Sequence, residues 1–439
     1  MKNTAVEIVK TLQDSGFVAV FVGGCVRDMI MGNTVNDYDI ATNALPEEVK
    51  EIFPDTFNVG EAFGVVCVKK SGHVFEVATL RTETDYTDGR HPETVKYSKS
   101  LHDDMKRRDF TINAIAFDPI TGVFFDAFNG MEDIKRGIIR SVSGPGSSAV
   151  QRFKEDYLRI LRGIRFATRF SFKIEPDTKS AMSVCIKGLK EISMERIAME
   201  FRKMFSHKNR ADAFFMLYDC FVFDSLFPEI IRLEDTEQKP EYHPEGNVFI
   251  HTHIAVASLP RDASFAVTMA TILHDIGKPD TVDENLSCKG HAEVGAVLAE
   301  KICHRLKLPS TEIDFIVKAV GSHMRFYSVK EMSLAKLRKL IVDPDFEDML
   351  TIHKADIAAS TKDPSFADHI EKIRVQFENE PVLPAPLVQG RDLIKLGYKP
   401  SKKFGPVLKS LFDLQLEHGT ELNKLLEIAH NKMKEITIT

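Results

Sequence analysis

An α+β head followed by a predominantly helical remainder is the fold class that the 439-residue sequence predicts. Three patterns carry that prediction. Alternating apolar residues run into Gly23-Gly24 and on to Asp37-Tyr38-Asp39, and a second alternating run spans 75–81, both at strand period. From Arg152 the period turns helical, with Phe153, Tyr157, Ile160, Leu161 and Ile164 on one face. Further on, Met269, Ile272 and Leu273 form an apolar helical stretch that ends at His274-Asp275. A hydrophobic fraction of 43% supports real cores, and the length implies several units.

The first strand ends at Phe21 and Val22, where Gly23 and Gly24 let the backbone turn tightly and bring amides near a ligand. Arg27 and Asp28 fall in the first turn of the next helix. In an extended strand, residues i and i+2 share a face, so Asp37 and Asp39 can face one divalent cation while Tyr38 faces away. Two close carboxylates repel unless a cation lies between them. An Asp-x-Asp pair alone is more readily a solvated turn; the glycine turn and Arg-Asp pair before it reverse that and favour the metal reading. This segment resembles the signature of the tRNA nucleotidyltransferase and bacterial poly(A) polymerase family, within the DNA polymerase beta superfamily. The resemblance implies a polymerase-beta-type nucleotidyltransferase head in which Asp37 and Asp39 hold catalytic Mg²⁺ and Gly23-Gly24 supports a nucleoside triphosphate. It also implies the reaction: transfer of a nucleoside monophosphate to an RNA 3′-hydroxyl, with pyrophosphate leaving.

In the run 75–81, Phe75, Val77 and Thr79 share one face and Glu76 and Ala78 the other. Glu76 is then either an exposed strand charge or a third carboxylate near the metal pair. The polar run Thr82 to Ser100 reads as a mobile loop beside the site; the family uses a flexible loop there to switch selection toward adenine. Next comes the dense cluster His102 to Ala114, in which both signs of charge can satisfy one another while spare guanidinium groups face phosphate. It resembles the family's DDxxRRDFTxNA motif, which implies that Arg108 and Asp109 organise the triphosphate pocket and Asn113 fixes its shape.

On the helical run from Arg152, Asp156 and Arg159 lie three apart, an acceptor and a donor able to read a base edge or, equally, to pair with each other. Glu155, Arg162 and Arg165 occupy neighbouring faces. The segment resembles the EDxxRxLRxxRF motif of the bacterial, eukaryotic-type enzymes, which implies that Glu155, Asp156 and Arg159 select CTP and ATP, with Arg162 and Arg165 facing phosphate. In the second half, His251, His274, Asp275 and Asp356 can assemble a nitrogen and oxygen metal site only through the fold. Their order resembles the HD phosphohydrolase domain, which implies a divalent metal, Mg²⁺, Mn²⁺, Ni²⁺ or Co²⁺, with His291 and His323 as contributors to a second ion or to substrate phosphate. His253 reads as structural, and Lys278 as a phosphate contact or an exposed cation.

The expected partition is a head at 1–145, a helical neck with the nucleotide-reading segment at 146–210, a body connection and loop at 211–247, an HD domain at 248–365 and a helical tRNA-binding tail at 366–439. Glu234 to Asn247 reads as a linker or surface loop, and Pro381 to Pro386 as a hinge. A net charge of −6 leaves room for local basic patches at Lys106-Arg107-Arg108, along 159–169 and in 395–409. Six scattered cysteines, a polar N-terminus and no charge-free span of membrane length predict a cytoplasmic enzyme without a membrane partner. By the resemblance, its function is template-independent, metal-dependent addition or repair of the tRNA 3′ CCA end with CTP and ATP. The open alternatives are an A-adding enzyme, a poly(A) polymerase, or an HD phosphohydrolase whose head only binds nucleotide or RNA; monomer and homodimer are equally open.

Overall fold

The computed structural model describes residues 1–58, 64–86, 92–144, 148–377 and 381–438. The chain divides into two compact units, Met1–Ile231 with Arg305–Leu308, and Arg232–His304 with Pro309–Thr439. The expected head–neck boundary at 145/146 falls outside the described residues.

The first unit is built on a mixed seven-stranded sheet. Its strands are β1 Ala19–Val22, β2 Ile40–Thr42, β3 Thr56–Asn58, β4 Val65–Lys70, β5 His73–Thr79, then, after the separate hairpin β6 Arg81–Tyr86 and β7 Pro92–Tyr97, β8 Ala116–Asp118 and β9 Val123–Phe125. Their order is β3-β4-β5-β2-β1-β8-β9. Strand alternation sends Phe21, Ile40 and Val77 into one apolar layer, beneath Ile8, Val9 and Leu12 of helix Lys2–Asp14, and sends Val20, Val22 and Ala41 into the other. A fully buried phenylalanine such as Phe21 or Phe75 contributes about 1.5–3 kcal/mol. Because β2 pairs with β5 in parallel at Ile40↔Val77, Asp39 and Glu76 enter the sheet side by side.

The run 82–100, expected as a mobile loop, is largely an antiparallel hairpin in which Arg81 pairs with Tyr97 and Glu83 with Val95; residues 87–91 lie outside the described residues. Threonine, tyrosine and valine recur through it, and these favour the pleated backbone even where the composition is polar. The helix expected from Arg152 is also interrupted. It forms as Ala149–Glu155 and Leu158–Phe170, with Asp156 extended between them at φ −153° and its Oδ1 accepting from the Leu158 amide at 3.0 Å.

The second unit is helical. Helix Val248–Ser258 starts under Asn247, whose Oδ1 accepts from the Ile250 amide at 2.9 Å, and Phe265–Leu273 starts under Ser264 in the same way. The latter buries Phe265, Val267, Met269, Ile272 and Leu273, so it delivers His274 and Asp275 into the interior. The segment expected as a linker between Glu234 and Asn247 packs against this interior: Gln238 accepts from Lys278, and Glu245 meets His251. Carbonyls of Pro381 and Val382 accept from Arg338, anchoring the proline-rich segment. The last helices, Gly390–Lys395, Phe404–His418 and Leu422–Ile438, close on a core of their own around Leu393, Leu411 and Leu425. Among the described residues, no helix is long and apolar enough to cross a membrane.

Candidate functional site

In the first unit the predicted residues converge on a cleft of about 480 Å³. Gly23 is needed there on two counts. Its φ is +71°, and a Cβ would stand 2.8 Å from Arg108 Nη1 and 3.9 Å from Asp39 Oδ2. Gly24, Arg27, Asp39, Arg108, Asp109 and Asn113 line the same cleft, as do Asp156, Arg159, Arg162 and Arg165. Eight arginines against three aspartates in that lining make it a place for a polyanion.

The arginines are held by a buried chain of contacts. Arg27 binds Asp28 through Nε and Nη2 at 3.0 and 3.1 Å and donates from Nη1 to Asn113 Oδ1 at 2.6 Å. Asn113 donates onward to Asp109 Oδ1 at 3.0 Å, and Arg162 closes on Asp109 Oδ2 at 2.6 Å. Burial alone would raise the Asp109 pKa; Arg162 and the Asn113 hydrogen bond outweigh it and hold the carboxyl well below the usual range. Asp104, within the predicted cluster but without an assigned role, fixes Arg107 at 2.6 Å and Arg108 at 3.1 Å. Arg27 also lies over the rings of Phe166 and Phe170.

Asp39 is half-buried, and its pKa is raised by burial first and then by the charges of Glu76 and Asp37. Asp37 is exposed, and neither it nor Glu76 lines the cleft; Tyr38 faces away, packed on Phe21 with ring centroids 5.1 Å apart. Among the described residues, these three carboxylates do not bring their oxygens as close together as the histidine and aspartate groups of the second unit do. The raised pKa of Asp39, crowded by two further carboxylates, is nevertheless the condition that a divalent cation relieves.

Asp156 and Arg159 do not pair with each other. Arg159 Nη1 donates to Glu155 Oε2 at 2.7 Å and to the Arg152 carbonyl at 2.8 Å, and Nη2 donates to the Arg107 carbonyl at 3.0 Å. Asp156 Oδ2 accepts instead from Arg196 at 2.8 Å, a residue with no sign in the sequence beyond its place on an amphipathic helix. Arg165 is committed to Glu200 at 2.6 Å, both buried.

In the second unit, His251 Nε2 approaches His274 Nε2 to 3.2 Å and Asp356 Oδ1 to 3.1 Å, while His291 Nε2 approaches His323 Nε2 to 3.1 Å and Asp275 Oδ1 to 3.2 Å. Each imidazole Nδ1 faces an acceptor: Glu245 Oε1 for His251, and the carbonyls of Thr271, Cys288 and Val320 for His274, His291 and His323. Those partners can accept a hydrogen bond from each Nδ1, which would leave four Nε2 atoms turned toward one another between two aspartates to ligate a cation. Such a convergence fits cations. The donors form two groups, His251-His274-Asp356 and Asp275-His291-His323, with Asp275 also 3.2 Å from His274. Lys278 is buried, 2.7 Å from Asp275 Oδ2, at a pocket of about 600 Å³ that Lys239, Tyr242, Arg325 and Tyr327 also line. Glu245 escaped the sequence reading because a lone acid in a proline- and glycine-containing loop carries no pattern.

Residues 19–140 match the family model described as the poly A polymerase head domain, 171–233 that of the probable RNA and SrmB-binding site of polymerase A, and 242–359 the HD domain. The chain is 44% identical over 219 residues to the CCA-adding enzyme of Geobacillus kaustophilus, covering 50% of this chain and 53% of that one. It is 46% identical over 206 residues to that of Enterococcus faecalis, covering 47% and 50%. The chain thus spans about half the length of the curated relatives it matches. Over 98% of both chains it superposes on the Bacillus stearothermophilus CCA-adding enzyme in complex with CTP, with a TM-score of 0.73 at 28% identity. The Thermotoga maritima CCA-adding enzyme complexed with tRNA shares the fold, with a TM-score of 0.65 at 20% identity over 98% of this chain and 95% of that one.

Proposed function

We propose that the chain belongs to the tRNA nucleotidyltransferase and poly(A) polymerase family and adds or repairs the tRNA 3′ CCA end from CTP and ATP without a nucleic-acid template, a reading supported by its matches to the head, RNA-binding and HD models and to CCA-adding enzymes. The observation that carries this reading is the arginine-rich cleft that brings Gly23, Asp39, Arg108, Asp156 and Arg159 together. Asp37 and Asp39 would hold Mg²⁺, which when bound activates the 3′-hydroxyl and offsets charge on the departing pyrophosphate. The new bond forms between the 3′-oxygen and the α-phosphorus as the α–β anhydride bond breaks, with its electron pair leaving on pyrophosphate. Glu76 supplies a further negative charge beside Asp39 to attract the hydroxyl proton. Arg108, pinned by Asp104, and Arg162, pinned by Asp109, orient the triphosphate.

Base choice falls to Asp156 and Arg159. Cytosine and adenine each present an amino donor beside a ring-nitrogen acceptor, which suits a carboxylate next to a guanidinium; uracil and guanine present the reverse order. Lys106-Arg107-Arg108, the helical stretch 159–169 and the tail segment 395–409 are the surfaces we assign to tRNA. All six cysteines are free thiols, which supports a reducing, cytoplasmic setting.

The paired histidine–aspartate groups of the second unit favour a second reading alongside the first, a phosphohydrolase centre acting on phosphate esters such as 2′,3′-cyclic ends. His251, His274, Asp275 and Asp356, with His291 and His323, would hold Mg²⁺, Mn²⁺, Ni²⁺ or Co²⁺, which when bound polarises phosphate and acidifies water. Lys278 and Arg325 supply positive charge to the ester.

The test uses tRNA ending at the discriminator base, or one or two cytidines beyond it, with each triphosphate alone and together, followed by sequencing of product ends. Completion of CCA on all three is expected. Growth only from the end with both cytidines would make the chain an A-adding enzyme, and long adenosine tails would make it a poly(A) polymerase.

A further inference from the structure

We propose that Arg196 is a specificity-determining positioning residue for nucleotide selection, acting by holding the Asp156 carboxylate in its base-reading orientation; this rests on the transferase function proposed above. Asp156 sits at the break between two helices, where its extended backbone leaves the side chain without the support of helical neighbours. Its orientation is fixed from two sides. The Leu158 amide donates to Oδ1 at 3.0 Å, and Arg196 Nη2 donates to Oδ2 at 2.8 Å from a different helix, Met194–Phe205. A carboxylate so clamped presents its remaining lone pairs in one plane, which a directional reading of an exocyclic amine requires. Released from Arg196, it pivots about its side-chain bonds, and water can take the place of the base.

Two further observations separate this role from a plain helix-to-helix tie. Arg196 itself lines the cleft with Asp156, Arg159 and Arg162, and its Nη1 is buried with no hydrogen-bond partner among the described residues. An enclosed donor nitrogen without a protein acceptor is costly, and with the rest of the guanidinium partly exposed in the cleft lining the group belongs to the nucleotide's surroundings. Meanwhile the tie between the helices is made elsewhere. Glu200, one turn further along the same face, binds Arg165 at 2.6 Å in a fully enclosed pair, while Ile197, Phe201 and Met204 are buried alongside. The helix therefore stays docked without Arg196.

The experiment compares the full chain with Arg196→Met, which keeps the apolar stem but removes every donor, Arg196→Lys, which restores one, and Asp156→Ala alone and combined with Arg196→Met. Steady-state kcat/KM is measured for CTP, ATP, UTP and GTP on matched tRNA ends, with thermal unfolding as the folding control. Arg196→Met is expected to unfold near the parent temperature yet to lose about tenfold in its preference for CTP and ATP over UTP and GTP. Arg196→Lys recovers part of that preference, and the double variant discriminates no worse than Asp156→Ala. Unchanged preference in folded Arg196→Met overturns the proposal, as does a double variant whose loss is the product of the two single losses. A parent chain that incorporates no nucleotide overturns both this proposal and the transferase function.

Discussion

Asp109 shows how a single carboxylate can serve both stability and the cleft. Its folded pKa lies below the ordinary value because Arg162 and Asn113 outweigh the burial that would raise it. A depressed acid contributes stability that is fully present above its unfolded pKa of about 3.9 and is lost as pH falls from there through the folded value. Asp109→Asn should therefore cost about 1–3 kcal/mol at neutral pH, since it removes the charged partner of the partly exposed Arg162 from a buried position. Urea unfolding at a series of pH values should show the gap between parent and variant closing below pH ~4; a gap that stays constant would mean the ionised pair contributes nothing. Asp39 has the opposite shift, raised by burial and by Glu76 and Asp37, so protons compete with a cation there at higher pH than at an ordinary aspartate. The Mg²⁺ concentration needed for half-maximal nucleotide addition should climb as pH falls toward that raised value, and extra Mg²⁺ should restore the rate. At this scale the sequence was legible where polar residues cluster: Asp109, Asn113 and Arg108 stand in one dense run. Arg196 and Glu245 were not, because each is one charged residue among ordinary surface charges until the fold sets it against Asp156 or His251.

Elements were readable where period and packing agree. The apolar helix Phe265–Leu273 had to be buried, so its terminal His274-Asp275 had to enter the interior. The hairpin of β6 and β7 was misread because its pairing is made by backbone hydrogen bonds, to which polar composition is a poor guide. The break at Asp156 was hidden by apolar residues that keep helical spacing across it. A sharper consequence follows at Gly277, in the turn after His274-Asp275. A Cβ there would lie 2.2 Å from the His291 carbonyl oxygen and 2.6 Å from the Gly295 amide nitrogen, both backbone atoms that no rotamer change can clear. Gly277→Ala should push helix His291–Arg305 away, cost about 1–3 kcal/mol and lower bound metal by displacing His291. Gly405, within helix Phe404–His418 and with nothing near its would-be Cβ, is the matched control; Gly405→Ala should be neutral or slightly stabilising. Metal content after dialysis and thermal unfolding of the two variants decide the matter, and equal behaviour would remove the close packing at Gly277 as a constraint on the site.

Across the whole molecule the two sites differ in the chemistry of their donors, and that difference makes their separation testable. The first unit offers oxygen alone, from Asp39 with Asp37 and Glu76, in a half-open setting that suits a hard, exchangeable ion delivered with a triphosphate. The second offers four imidazoles and two aspartates, enclosed and oriented by fixed Nδ1 partners, which suits later transition metals. Asp39→Asn should lower nucleotide addition by about 100-fold or more while leaving hydrolysis of cyclic phosphates intact. Asp275→Asn should do the converse, and because Asp275 reaches both His274 and His291 it should deplete both donor groups of metal at once. His323→Ala, by contrast, removes a donor from the group containing Asp275 and His291 alone, although its ring packs on His274, and should leave the metal held by His251, His274 and Asp356 in place. Atomic absorption of purified protein, paired with nucleotide-addition and hydrolysis assays across Mg²⁺, Mn²⁺, Ni²⁺ and Co²⁺, reads all three variants on one scale. Loss of the same amount of metal from His323→Ala as from Asp275→Asn would argue for a single ion shared by all six donors, because only a shared ion lets a ligand on one side of Asp275 empty the other.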